Sequence, residues 1–243
     1  MKYFTKEWVE LSQTTSIHLN LKNDEHAEFF SDEYFRQLYN QKLEELSIEE
    51  QISSNPFVDS YTPEQIDENM SKALIYKQKQ IEKALPKEML KKIADIRVFA
   101  LGKATLEVIN AVKQFCEKNN KVVRSTTEQY TNYLKKLAET YDKNIIMNIN
   151  FHDCIIKDVK QSALYLSISF DNSGGFTDIE EITFENYRIL KQESSLQNLV
   201  WLYEEIYKTN GLYELHVIFM VQDTPEMDLV EFIICAEHIS FVS

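Results

Sequence analysis

Trp201–Met220 reads WLYEEIYKTNGLYELHVIFM. Two runs that mix apolar and polar residues flank Asn210-Gly211. Asn-Gly accepts positive φ at both central positions of a tight turn, so the stretch predicts a two-residue β-hairpin. The turn sets the register: Glu205 faces His216, Tyr207 faces Glu214, Tyr203 faces Ile218 and Trp201 faces Met220. One face then carries Leu202, Ile206, Leu215, Val217 and Phe219, a core pattern. The other carries Trp201, Tyr203, Glu205, Tyr207, Glu214 and His216, and is aromatic and acidic. Tyr and Trp suit surfaces that are apolar yet form hydrogen bonds, as protein contacts are. These six residues are the candidate binding surface. The same face would be an internal interface if the helical half covered it. The register also pairs the Glu205 carboxylate with the His216 imidazole.

Strand patterns continue on both sides. SALYLSISF (Ser162–Phe170) alternates, DNSGG turns the chain, and FTDIEEITFENYRIL returns it. DNSGG lacks the helix and lysine of a phosphate-binding loop, so it reads as a turn. LVEFIICAEHISF (Leu229–Phe241) is the last strand. A hairpin across QDTPEMD (Gln222–Asp228) would pair His216 near Ile233 or Ile234. Residues 144–243 therefore predict an antiparallel β-sheet or open barrel of five or six strands.

Residues 1–143 predict a helical bundle of about four helices. In the first, Phe30, Tyr34 and Leu38 fall on one face. Thr62, Pro63 and Gln65 form a capping box that starts the second. A third runs through Leu90, Ile96, Ala104, Val112 and Phe115 until Asn119-Asn120-Lys121 stops it. The fourth covers Ser125 to Asp142. The fold class is α+β.

Asn148–Val159, NINFHDCIIKDV, sets His152, Asp153 and Cys154 in a row, the residue types of a nucleophilic site. In a strand, His152 and Cys154 share a face about 7 Å apart and Asp153 points away. A nucleophile and its base need about 3 Å, so the triplet reads as the start of a strand. No H-x-H, H-E-x-x-H or Cys/His cluster is present, so no metal or cofactor is expected.

Charge is uneven. The chain carries 26 Lys/Arg and 39 Asp/Glu. Residues 144–243 hold 5 and 16 of these, a net of −11, which leaves −2 for residues 1–143. An acidic second half repels phosphate, so nucleic acid is not the expected partner; a basic protein is. No apolar run approaches the roughly 18 residues of a membrane span. The polar, aromatic N-terminus lacks the pattern of a signal peptide, so the expected compartment is the cytoplasm. Cys116, Cys154 and Cys235 are widely spaced and fit reduced, buried positions.

MKYFTKEW, ADIRVFALG, NFHDCII, NSGGFTDI and WLYEEIY…GLYELHVI together resemble an uncharacterised family of Gram-positive bacterial proteins, a domain of unknown function. That resemblance implies no catalytic residue. FHDCII also resembles the first strand of small β-domains in bacterial immunity proteins. The expected function is a cytoplasmic, non-enzymatic protein-binding role of immunity or antitoxin type, using the acidic aromatic surface. The alternative is a small-molecule or metal-dependent enzyme with a site between the halves, using His152, Glu205 or His216.

Overall fold

The computed structural model describes residues 1–53, 61–222, 224 and 227–243. Its helices are α1 (Lys6–Ser12), α2 (Asp32–Ser53), α3 (Pro63–Ala84), α4 (Lys87–Leu90), α5 (Ile96–Ala100), α6 (Leu106–Thr140) and α7 (Lys143–Asn148). Its strands are β1 (Lys22–Asn23), β2 (Lys103–Ala104), β3 (Ile155–Gln161), β4 (Tyr165–Asp171), β5 (Glu181–Glu185), β6 (Arg188–Gln192), β7 (Leu199–Thr209), β8 (Leu212–Val221), β9 (Leu229–Ala236) and β10 (His238–Val242). The chain is α+β, with helices mostly first and an antiparallel sheet last. Lys143 marks the change from helix to strand, with only α7 beyond it. The contacts divide elsewhere: Met1–Ser12 groups with Lys121–Ser243, and Gln13–Asn120 forms the other unit.

In the helical unit the capping box is present as read. Gln65 N–H donates to Thr62 Oγ1, Thr62 N–H donates to Gln65 Oε1, and Pro63 opens α3. The expected third helix is broken. Asp95 caps α5 through the Arg97 amide, and the Arg97 guanidinium binds Asp95 and Asp32 between the rings of Phe30 and Phe35. Asn119-Asn120-Lys121 does not stop the chain, because α6 runs straight through it. Asparagine costs only tenths of a kcal/mol inside a helix. The Asn119 side chain is also buried and donates to Thr14 Oγ1 at 2.7 Å, so it does not compete for its own backbone. Val108, Val112 and Cys116 bury one stripe of α6 with Leu74, Ile81 and Phe99.

The β unit holds one eight-stranded sheet, in the order β10-β5-β4-β3-β7-β8-β9-β6. Its two ends are joined through the chain. Glu185 pairs His238 and, past the bend, Arg188 pairs Cys235 in the same register. β5 with β6, and β9 with β10, are thus two bent strands of one ribbon. Counted that way, six strands form a closed ring of pairings, thinnest at β3–β7, where Ile155 pairs Val200. The ring is filled, not hollow: Phe151, Phe170, Phe184, Trp201, Phe219 and Phe232 are buried inside it. The connection from β8 to β9 includes Asp223, Pro225 and Glu226, which lie outside the described residues. On either side of it His216 pairs Ile233.

Candidate functional site

The Asn210-Gly211 turn forms as read, with φ of 52° and 84°. From Thr209↔Leu212 to Tyr203↔Ile218 the pairing is the expected one, including Glu205↔His216 and Tyr207↔Glu214. Then the register shifts by a bulge between Trp201 and Tyr203, and Trp201 pairs Phe219 instead of Met220. An extra residue reverses the alternation of a strand. Trp201 therefore turns into the ring, edge-on to Phe170 and Phe219. Leu202, expected in that core, packs on the other side with Val200, Ile218 and Leu229.

Tyr203, Glu205, Tyr207, Glu214 and His216 share the remaining face, and it is covered. The cover is the N-terminal segment, with Tyr130 and Tyr133 of α6. Phe4 and Trp8 pack against Tyr203, and Tyr133 packs against Tyr207. Glu205 has no exposed surface. Its carboxylate accepts three consecutive backbone N–H groups, from Lys2 and Tyr3 at 2.8 Å and Phe4 at 2.5 Å, and the Tyr207 hydroxyl. His216 does not use Glu205; its Nε2 lies 2.6 Å from Glu214 Oε1, two residues away on the same strand. The Tyr130 hydroxyl accepts the Ile206 N–H at 2.9 Å, where a neighbouring strand would otherwise serve. Burial pushes the Tyr130 phenol well above its ordinary range.

Sequence reading passed over Glu204. Two adjacent glutamates in a strand must point to opposite faces, so one had to face the core. Glu204 lies opposite Val217, on the core side, and accepts the Trp201 indole N–H at 2.6 Å. Desolvation pushes its carboxyl up to about 7, against the pull of the hydrogen bonds from Trp201 and the Phe151 amide.

The His152-Asp153-Cys154 triplet is a tight turn, not a strand. Cys154 N–H donates to Phe151 O at 2.9 Å, and Asp153 has a φ of 65°, which Asp tolerates better than most residues. Cys154 is fully buried, and burial followed by the charges of Asp153, Glu204 and Asp171 pushes its thiol up to about 11. A thiol so held is a packing group. It packs against Gly175, where a Cβ would lie 2.4 Å from the Cys154 Sγ. Gly175→Ala should therefore cost about 2 kcal/mol by overpacking. The cost should shrink by about 1 kcal/mol in a Cys154→Ala background, because the two sites touch. Urea unfolding of the four chains tests this; equal costs in both backgrounds would mean the sulfur is not the obstacle.

Around this turn the surface opens. His152 stacks between Tyr203, at 5.0 Å, and Phe176, at 6.3 Å. Phe176 is 73% exposed, and Asp153, Asp178 and Glu180 nearby in the turn and loop are exposed as well. Cys116, Cys154 and Cys235 are free and buried. Among the described residues no cluster of His, Cys, Asp or Glu could hold a metal ion, and no helix is long and apolar enough to cross a membrane.

These features define a class of chain: a helical unit inserted, in sequence, into a filled antiparallel β unit whose first strap is N-terminal. The chain belongs to the family DUF4085, a protein family of unknown function, which matches residues 29–236. No curated protein and no solved structure matches it. MKYFTKEW precedes the matched stretch, yet it is bonded to WLYEEIY through Glu205. NFHDCII and NSGGFTDI likewise meet, at Cys154 and Gly175. Four of the five motifs that carried the resemblance thus touch one another in pairs; ADIRVFALG lies in the helical unit.

Proposed function

We propose that this protein is a cytoplasmic, non-enzymatic binding protein that docks a basic protein partner on the β unit. The observation that carries this reading is Phe176, a large apolar side chain left 73% exposed, stacked on His152 in a loop that also exposes Asp178 and Glu180. Its loop rests on the Phe151–Cys154 turn through Gly174 and Gly175. Asp153, Asp178 and Glu180 flank it, and residues 144–243 carry a net charge of −11, 5 Lys/Arg against 16 Asp/Glu. An aromatic anchor with an acidic rim suits a cationic or Arg-bearing surface, held by apolar contact, cation–π attraction and charge. The docking surface so placed is not the hairpin face that the sequence suggested, where Trp201 and Glu205 are wholly buried. An immunity- or antitoxin-like role, neutralising a basic toxin, is the finer form of this proposal, supported by the charge alone. An enzymatic role for Glu205 draws less support, because both its oxygens are taken by hydrogen bonds.

The test begins with affinity capture from the native host by the wild-type chain. The captured protein is then purified and its kinetics measured. The association rate should fall at least about tenfold between low and high salt, as for a steered encounter. Phe176→Ala should speed dissociation by about tenfold, the loss of one anchor. A partner indifferent to salt, to Phe176→Ala and to Asp153→Lys would exclude this surface.

A further inference from the structure

We infer that Met1–Ser12 is an exchangeable docking segment, and that a second copy of this chain can supply it to the β unit. The segment groups with Lys121–Ser243, while all of Gln13–Asn120 lies between it and α6's second half in sequence. It is therefore held in place as a bound peptide would be. Its recognition has the parts of an interface. Phe4, Trp8 and Val9 are apolar anchors, buried with Tyr130, Val200, Leu202 and Ile218. Three successive backbone N–H groups converge on the Glu205 carboxylate, a contact that any copy of the segment can make. At the rim, Lys6 Nζ lies 2.8 Å from Glu193 Oε2, and Glu193 is also held by Lys191. An aromatic segment of zero net side-chain charge, with Lys2 and Lys6 against Glu7 and Glu10, thus sits on an aromatic groove. What singles it out over an unrelated occupant is the fit of Phe4 and Trp8, the three amides on Glu205 and the single Lys6–Glu193 pair.

The connection back to the helical unit is short: α1 ends at Ser12, and a 3-10 turn begins at Ile17. Opening that connection would let the segment reach a second copy and form the same contacts there, as in domain swapping. The tether makes the internal contact win when the chain folds in dilute solution, because its effective concentration is high. Folding at high concentration should give exchanged pairs, which the buried contacts then hold.

Two full-length variants test this: Lys6→Cys, which loses one rim ion pair, and Glu193→Cys, which loses its pairs with Lys6 and Lys191 and the acceptor of the Glu231 N–H. Cys116, Cys154 and Cys235 are buried, so a short bis-maleimide should spare them in the folded chain. The variants are mixed, unfolded together, refolded at about 100 μM to favour swapping, diluted, and then treated with the reagent. A bridge from position 6 to position 193 can form only between copies. We expect it, by mass spectrometry, in at least about tenfold excess over the same variants refolded separately and then mixed. Excess synthetic peptide of residues 1–12 present during refolding should suppress it, and the peptide with both Phe4 and Trp8 replaced by alanine should not. Equal bridging in the two mixtures overturns the inference. So does a bridge that the wild-type peptide leaves unchanged, since the contact would then lie elsewhere.

Discussion

Replacing Glu205 with glutamine should lower the stability of the protein to urea by about 3 kcal/mol, the scale of a buried charged acceptor taken from its donors. The Glu205 carboxylate is surrounded by donors alone: the amides of Lys2, Tyr3 and Phe4 and the Tyr207 hydroxyl. A glutamine side chain has one acceptor oxygen and turns an NH2 toward at least one of those donors. Water cannot make up the difference, because Glu205 has no exposed surface. The damage should be local first. The Lys2, Tyr3 and Phe4 amides should lose protection from hydrogen exchange before β7 and β8 do. Glu214→Gln, at a half-buried site on the same face, should cost less than about 1 kcal/mol. A Glu205→Gln chain as stable as the wild type, with those three amides still protected, would mean that the carboxylate does not hold the segment.

The second large effect is in pH. Glu204 has its carboxyl raised from an ordinary 4.5 to about 7 by burial beside Trp201 and the core. Between those values the folded protein holds a proton that the unfolded chain has released. The stabilisation is therefore complete below about 4.5 and is lost as pH climbs through about 7. A shift of that size corresponds to about 2–3 kcal/mol once partial exposure is allowed for. Carboxyls held low act in a separate window. Glu193, pulled down to about 2 by Lys191 and Lys6, contributes stability above its unfolded value that is lost as pH falls toward 2. Glu204→Gln keeps an acceptor for the Trp201 indole and removes the titration. Urea unfolding at a series of pH values should show the wild type falling between pH 5 and 8 relative to the variant. Parallel profiles for the two chains would mean that Glu204 is not buried as a carboxyl.

What could be read from the sequence was local. Asn210-Gly211 fixed the β7–β8 register, because the turn chemistry admits few geometries. Thr62-Pro63-Gln65 marked the start of α3 for the same reason. The errors came from causes at a distance. The bulge beside Leu202 turned Trp201 inward, and a single added residue in a strand leaves the surrounding pattern of apolar residues looking unbroken. Asn119 failed to end α6 because its partner is Thr14, far earlier in the chain. Of the six surface candidates, five do share a face; the N-terminal segment that covers them could not be matched to Glu205 from spacing. The open surface at Phe176 was also missed, since a phenylalanine after Gly-Gly looks like the start of a strand and not like an anchor.

The docking of Lys2 against Glu205 joins residues 203 positions apart. On a ribosome, that means a segment made early waits for a partner made some two hundred residues later. At ordinary elongation rates of about 5–20 residues per second, roughly 10–40 s pass between the emergence of the two. Throughout that interval Phe4 and Trp8 have no groove to enter. A nascent chain of this protein therefore carries an uncovered aromatic segment until β7 and β8 have left the exit tunnel, and a chaperone that shields apolar segments as they emerge would have its target there during that interval.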